Sequence, residues 1–307
     1  MLVAAMGAAV AYGVGTLRGG PDPGRLVYAG RQGVYIRDLD SGEERKAADL
    51  PKDVTFGMAS SDAKWFAYAS EQGALTLLDL ESKQSFQVSE QLSVPLGWSP
   101  DGRLVAQELF DDRDIVLIDP NGGVRVIWSR GSLNVRFPVW LDSDLFAFFD
   151  EGNQRSLALV RLAESRSSVS QIGVGLPLAA SPDGKEILIR RGKKLIVAKL
   201  EGRRLTAERT LFRGAIGNTA VSDQGFVAFT ASGSGDGDGL WVLQSGEKKK
   251  KVLSEQVRWL EWTRDGSTIL YSSRGAVYAL TLPDGKPKRI SKKGVDVFDV
   301  IGFTVVP

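Results

Sequence analysis

Two side chains that commonly carry catalysis, His and Cys, do not occur in this chain of 307 residues. Their absence excludes a Ser-His-Asp triad, a thiolate nucleophile and the usual ligands of zinc, copper and haem. Carboxylates remain, and they suit a hard cation such as Ca²⁺. Asp236 and Asp238 alternate with glycines that would permit the sharp turn of a calcium loop, although the match is short. The pair indicates either a calcium site or a flexible Gly/Ser turn, and the sequence predicts no other cofactor.

A second pattern combines carboxylates, arginines and one apolar side chain in two segments, ELFDDRD at residues 108–114 and DEGNQR at residues 150–155. Binding hot spots often pair an apolar anchor with charged surroundings, and Phe110 would be that anchor. We expect the two segments to form an acidic shelf that binds a protein partner, and the alternative is that both are ordinary solvated loops. The predicted contact residues are Phe110, Asp111, Asp112, Arg113, Asp150, Glu151, Asn153 and Arg155.

Basic residues are concentrated near the C-terminus, although the whole chain has a net charge of only +2 from 39 Lys and Arg against 37 Asp and Glu. A balance this small argues against nucleic-acid binding by the whole surface. Residues 241–293 hold 12 Lys or Arg against five Asp or Glu. Such residues either deter pairing between strand edges or contact an anionic lipid headgroup or an acidic protein. The positions concerned are Lys248 to Lys251, Lys286, Lys288, Arg289, Lys292 and Lys293.

A repeat determines how these groups are positioned. The motif WSPDG at residues 98–102 recurs as ASPDG at 180–184 and as WTRDG at 262–266, and degenerate copies fill the gaps. Pro presets the first corner of a turn, Asp bonds the nearby backbone, and Gly takes the left-handed conformation before the next strand. The turn aspartates are spaced by 39 to 42 residues and are Asp22, Asp62, Asp101, Asp142, Asp183, Asp223 and Asp265.

Each period contains four short apolar segments separated by turn residues, of which Ala74–Leu80 and Ser85–Ser89 are two. A period of about 40 to 45 residues with four strands is typical of a β-propeller blade. The C-terminal segment 295–306 has no blade of its own, and the first period lacks an innermost strand. We therefore predict an all-β, seven-bladed β-propeller over residues 21–307, with its ring closed by the C-terminal strand completing the N-terminal blade.

The Trp-Ser-Pro-Asp-Gly copies resemble the repeats of TolB-type and related WD-like bacterial propellers, and the resemblance extends over residues 21–307. It implies the propeller fold and leaves the partner open, because one fold serves many functions. Trp98, Trp140 and Trp262 precede turn aspartates on innermost strands. Their regular placement predicts packing between blades.

The first seventeen residues, MLVAAMGAAVAYGVGTL, contain no charged side chain and are followed by Arg18 and a Gly-Gly-Pro breaker. As a helix this run would span roughly 25 Å, close to the thickness of about 30 Å of a bilayer core. We predict that residues 1–20 are a signal peptide or membrane anchor and that the propeller lies in the periplasm or at the cell surface. The alternative is an apolar helix packed on the propeller.

The leading functional prediction is a non-enzymatic scaffold that binds envelope or membrane-associated proteins, because the sequence combines a repeat ring with an apolar leader and lacks the common catalytic groups. Two alternatives remain. A calcium-dependent propeller hydrolase or lactonase would hold an oxygen-ligated ion in the central channel, where Asn134 and Asn218 precede inner strands. A regulatory propeller of a split peptidase would need a catalytic domain on another chain.

Overall fold

The computed structural model of this protein describes residues 23–30, 32–89, 93–108, 114–128, 135–150, 156–163, 167–181, 183–232, 238–243, 249–255, 257–283, 285–291 and 303–306. Every regular element in these ranges is a β-strand, and the strands form seven four-stranded antiparallel sheets. The predicted seven-bladed propeller is therefore confirmed. Among the described residues there is no helix long and apolar enough to cross a membrane.

The strands follow one another blade by blade along the chain, and the last strand returns to the first blade. Blade 1 contains β1 (Arg25–Gly30), β2 (Gly33–Asp38) and β3 (Glu44–Ala48). Blade 2 contains β4 (Val54–Ala59), β5 (Trp65–Ser70), β6 (Leu75–Asp79) and β7 (Ser85–Ser89). Blade 3 contains β8 (Ser93–Trp98), β9 (Leu104–Glu108), β10 (Ile115–Asp119) and β11 (Gly123–Trp128). Blades 4 and 5 contain β12 (Val135–Asp142), β13 (Leu145–Asp150), β14 (Ser156–Arg161) and β15 (Ser168–Val174), then β16 (Leu176–Ala180), β17 (Glu186–Arg191), β18 (Lys194–Glu201) and β19 (Arg204–Arg213). Blades 6 and 7 contain β20 (Ala215–Val221), β21 (Val227–Ser232), β22 (Gly239–Leu243) and β23 (Lys250–Leu253), then β24 (Arg258–Trp262), β25 (Thr268–Ser273), β26 (Ala276–Thr281) and β27 (Lys288–Arg289); β28 (Phe303–Val306) completes blade 1.

Ring closure follows the prediction, because β28 pairs antiparallel with β1 from Arg25 opposite Val306 to Tyr28 opposite Phe303. The innermost strands contact their neighbours in the cyclic order β28, β4, β8, β12, β16, β20, β24 and back to β28. Gly24, with φ of +87°, precedes β1 at this junction, and a Cβ there would lie 2.5 Å from the carbonyl oxygen of Val306. The approach of the two chain segments thus requires glycine.

Within each blade the strands are named a to d from the innermost to the outermost. Since successive strands are antiparallel, the a–b and c–d turns lie on one face of the ring, which is named the hairpin face. The b–c turns and the connections between blades lie on the opposite face, which is named the connection face. Short b–c turns occur at Gly33, Gly73, Gly192 and Gly275, and all four glycines have positive φ.

The apolar core lies between the blades. One cluster joins Val105 and Leu117 of blade 3 to Phe146 and Phe148 of blade 4, and corresponding clusters fill other seams of the ring. Full burial of a side chain as large as Phe146 stabilises the fold by about 1.5–3 kcal/mol. Because both faces of a sheet pack on neighbouring blades, the hairpin face, the connection face, the central channel and the outer rim remain for function.

Candidate interaction surfaces

The repeated a–b turn is held together by a hydroxyl and a carboxylate. In blade 5 the Ser181 hydroxyl donates to Asp183 at 2.6 Å and accepts the amide N–H of Glu186 at 2.9 Å. Hydrogen bonds from Ser181 and from the amide of Lys185 hold the pKa of the Asp183 carboxyl below its usual range. The turn aspartate therefore serves the fold. The same hydroxyl–carboxylate pair occurs in Ser60 with Asp62, Ser99 with Asp101 and Thr263 with Asp265.

Sequence reasoning recognised the Pro, Asp and Gly of this turn but missed the hydroxyl. Its signal is present, because Ser or Thr stands two residues before four of the turn aspartates. Blade 6 keeps only the hydroxyl half, as Ser222 accepts the amide N–H of Phe226 at 3.0 Å. Blade 4 has Trp140 at the hydroxyl position, and Asp142 caps the turn alone by accepting the amide N–H of Asp144 at 2.7 Å.

The repeat tryptophans pack between blades, as predicted. The indole N–H of Trp98 donates to the carbonyl of Met58 in blade 2 at 3.1 Å, and that of Trp262 donates to the carbonyl of Ala220 in blade 6 at 3.3 Å. Trp140 packs against Phe146 with ring centroids 4.8 Å apart, beside the cluster that joins blades 3 and 4. These side chains stabilise the ring.

The predicted acidic shelf falls almost entirely outside the described residues. Its strand boundaries agree with the sequence, because one segment joins β9 to β10 and the other joins β13 to β14, both as b–c connections. Asp150 is the exception, since it is the last residue of β13, pairs with Val135 and Ser156 on either side, and is only 2% exposed. The strand extends one residue further than expected, so Asp150 lies inside the blade and not on an exposed shelf. The positions not described are Phe110, Asp111, Asp112, Arg113, Glu151, Asn153 and Arg155.

Of the two aspartates predicted to bind calcium, only one lies within the described residues. Asp236 is outside the described ranges, whereas Asp238 directly precedes β22. Of the two channel candidates, Asn134 is not described and Asn218 lies exposed on the innermost strand β20, where its amide N–H donates to the Thr230 hydroxyl at 2.9 Å. Across the described part of the chain, no three acidic side chains lie close enough together to hold a metal ion.

The outermost strands of blades 2 and 3 carry apolar side chains that face the seam between these blades. Phe86 on β7 lies opposite Leu77 in the strand register, and Leu77 belongs to the cluster that fills this seam. Val124 and Val126 on β11 lie opposite Ile118 and Val116, which belong to the same cluster. Residues paired across antiparallel strands share a face of the sheet. Phe86 therefore faces blade 3, while the two valines face blade 2.

These side chains are exposed although the residues of the seam beneath them are buried. Phe86 is 50%, Val124 54% and Val126 52% exposed. Below them Trp65, whose ring centroid lies 6.0 Å from that of Phe86, and Val88 pack against the buried cluster. This feature is named the outer crevice. It contains three of the four large apolar side chains that are exposed in the described chain, and the fourth is Val174 at the end of β15.

A basic surface lies on the opposite part of the rim, where the c–d turns of blades 6 and 7 reach the hairpin face. The Lys250 ammonium donates to the carbonyl of Pro283 at 3.3 Å, which joins the two turns. The Lys249 ammonium lies 4.8 Å from the ring centroid of Phe212 and 5.3 Å from that of Trp241. The basic surface consists of the exposed residues Lys249, Lys250, Lys286, Lys288 and Arg289. Lys251 is partly buried on β23, and Lys248, Lys292 and Lys293 are not described.

One carboxyl group with a shifted pKa, that of Glu261, lies on a strand and not in a turn. Glu261 lies on the innermost strand β24 between Leu260 and Trp262, which belong to the cluster shared with blade 6. Side chains alternate along a strand, so Glu261 points to the other side, toward blade 1. Burial raises the pKa of this carboxyl to about 8. Sequence reasoning gave no indication of this group.

Comparison with known proteins identifies the fold and no family. No family model and no curated protein sequence matches the chain. The structure is similar to TolB from Acinetobacter baumannii, with 17% identity and a TM-score of 0.52, over 76% of this chain and 64% of the TolB chain, so that the chain spans less than two thirds of TolB. It is also similar to the Swd1 β-propeller domain from Myceliophteria thermophila, with 14% identity and a TM-score of 0.60 over 80% of this chain and 87% of that one. A putative 6-phosphogluconolactonase from Bacteroides fragilis gives 14% identity and a TM-score of 0.63 over 92% and 98%.

Proposed function

We propose that this protein is a non-enzymatic binding platform that acts outside the cytoplasm and captures an extended segment of a protein partner at the outer crevice. The observation that carries the proposal is the position of Phe86, Val124 and Val126, which are about half exposed and face one seam. Exposed apolar side chains beside an outermost strand favour contact with another chain, and native proteins usually protect such edges with charge.

The geometry suits a partner segment in extended conformation. Strand β11 is the outermost strand of its sheet and pairs with β10, and no other strand of the described residues pairs with it. A strand added there would present alternate side chains to the crevice, where Phe86, Val124 and Val126 supply an apolar wall. The expected partner sequence has apolar residues at every second position.

The predicted shelf is consistent with this site. Residues 109–113 join β9 to β10 and therefore belong to blade 3, the blade that carries Val124 and Val126. Phe110 and Arg113 remain predicted contacts of the same partner. The predicted export or anchoring by residues 1–20 would place the protein beside an envelope partner. The propeller neighbours, which include TolB, Swd1 and a putative lactonase, are compatible with either binding or catalysis.

The test is site-specific photocrosslinking of the full-length protein in envelope fractions, with the crosslinking amino acid at Phe86. The matched control places it at Arg209, an exposed residue on the outermost strand of blade 5. We expect one discrete crosslinked partner from Phe86, its loss when Val126→Asp is added, and no such product from Arg209. Equal products from both positions, or turnover of a lactone or glycoside by the purified protein with no crosslinked partner, would contradict the proposal.

A further inference from the structure

The described chain begins on the hairpin face, close to the basic surface. The carbonyl of Pro23 accepts the amide N–H of Arg264 at 3.3 Å, and Arg264 belongs to the a–b turn of blade 7. Backbone hydrogen bonding joins that turn to the c–d turn of the same blade, whose Pro283 accepts from Lys250 of blade 6. A continuous bonded path therefore links the start of the propeller to the basic turns on one face.

Charge on this face changes sign at the junction of blades 7 and 1. On one side lie the exposed cations Lys250, Lys286 and Lys288, and on the other lie Asp38 and Asp40 in the c–d turn of blade 1. The exposed Arg203 and Arg204 at the c–d turn of blade 5 lie on the same face, so the positive charge extends over the turns of blades 5, 6 and 7 and ends at blade 1. Salt screens each charge beyond about 8–10 Å, so only a surface close to these turns would sense them.

In the sequence, the apolar segment ends only a few residues before Pro23. Only residues 18–22 separate the uncharged run from Pro23. Five residues and their flanking bonds span at most roughly 20 Å when fully extended. A bilayer that holds the apolar run therefore lies within that distance of the hairpin face.

We infer that the basic surface of blades 6 and 7 docks against an anionic lipid bilayer and turns the hairpin face toward the membrane. The inference rests on the proposed membrane anchoring for proximity and on charge complementarity for the contact. Each Lys or Arg near an anionic membrane strengthens binding by about fivefold. In this orientation the connection face, which carries the predicted shelf, points away from the bilayer, and the outer crevice lies on the part of the rim far from blades 6 and 7.

Vesicle flotation of the full-length protein tests the inference, with phosphatidylcholine alone and with phosphatidylcholine mixed with phosphatidylglycerol. The variant is Lys250→Glu, Lys286→Glu and Lys288→Glu. The matched control is Lys52→Glu, Lys193→Glu and Lys194→Glu, which makes the same charge change at exposed positions of the connection face. We expect the variant to bind anionic vesicles at least about a hundredfold more weakly than the wild type and the control, with the difference disappearing at high salt.

Equal binding of the variant and the wild type to anionic vesicles would overturn the inference, as would an equal loss in the control. Binding of the wild type to polyglutamate but not to anionic vesicles would assign the surface to an acidic protein and would also overturn it. Binding to neutral vesicles depends on the apolar segment and not on the basic surface. The neutral vesicles therefore test membrane anchoring separately from the contact made by the lysines. Crosslinking from Phe86 is measured on the same variant, which separates this inference from the proposed partner site, and matching thermal melting curves confirm that the variants fold.

Discussion

The outer crevice and the basic surface occupy equivalent places in the repeat, yet they differ completely in chemistry. Both are formed near outermost strands of two adjacent blades. In blades 2 and 3 these strands carry Phe86 and Val126 at their exposed positions, whereas in blades 6 and 7 they carry Lys250 and Lys288. The lysines give a strand edge the charge that usually deters pairing with another chain, whereas the apolar side chains favour such contact.

The difference shows where this ring can vary without losing its fold. Directly inside both rims the packing is alike, with Leu77 at the blade 2–3 seam and Val242 at the blade 6–7 seam, both nearly inaccessible to solvent. A residue on the outermost strand contributes little to that packing when its side chain points to solvent. Its identity is therefore open to selection by a partner or by a surface.

The largest effect should come from truncation just below the crevice. Leu77→Ala removes a buried side chain from the seam cluster and should lower the free energy of unfolding by about 2–5 kcal/mol. Phe86→Ala, at the paired position on the neighbouring strand, should cost less than about 1 kcal/mol because Phe86 is half exposed. Denaturant unfolding of the two variants measures the contrast. A loss for Phe86→Ala as large as that for Leu77→Ala would show that the crevice is part of the core.

Placing lysines in the outer crevice, or valines in the basic surface, should alter binding and leave the free energy of unfolding nearly unchanged. Val124→Lys with Val126→Lys should weaken partner capture by about 10- to 100-fold, because both changes place charge in the apolar wall. The converse pair, Lys250→Val with Lys288→Val, should promote self-association, which sedimentation measures, since it removes charge from strand edges. Unaltered capture after the first exchange would exclude the crevice as the partner site.

The stability of the seam between blades 7 and 1, where Glu261 lies, should also depend on pH. The folded-state pKa of Glu261 is raised from 4.5 to about 8, so the unfolded chain releases this proton at lower pH than the folded protein does. Stability should be greatest below about pH 4.5 with respect to this group and should fall as pH rises toward about 8. The loss should be on the order of 1–2 kcal/mol, because one unit of pKa corresponds to about 1.4 kcal/mol and partial exposure of the side chain reduces the effect.

Glu261→Gln is the matched control for this pH dependence. Thermal melting between about pH 5 and pH 8 should show a flatter profile for the variant than for the wild type, since Gln does not titrate in this window. Parallel profiles for the two proteins would mean that the carboxyl of Glu261 titrates normally and that another group sets the pH dependence.

The smallest effect concerns a lysine that belongs to the basic surface but also stabilises the fold. Lys249→Gln should lower the unfolding free energy by about 0.5–1 kcal/mol, because it removes the cation that lies over the rings of Phe212 and Trp241. Lys286→Gln should leave stability unchanged within error. Equal melting temperatures for both variants would show that the ring contact contributes nothing measurable.

The sequence predicted the architecture well because its signals are local and repeated. Turn chemistry at Asp101, Asp183 and Asp265 marks the same hairpin in three blades, and even spacing converts three weak signals into a specific one. The hydroxyl of Ser181 was missed because a single Ser beside a turn has many roles. Asp150 was placed on a loop because a carboxylate at the end of a strand resembles the charged loop that follows it.

Closure of the ring was determined by the sequence alone, since the count of seven periods and the unpaired C-terminal strand leave β28 only one place to bind. The outer crevice was decided by tertiary structure. Phe86 and Val126 lie on different blades, and each is an unremarkable apolar residue within its own strand. They face one seam only because strand pairing sets which side of each sheet they occupy and because closure sets which blades are neighbours. Pairing register and blade contact are non-local, so no repeat read by itself contains them.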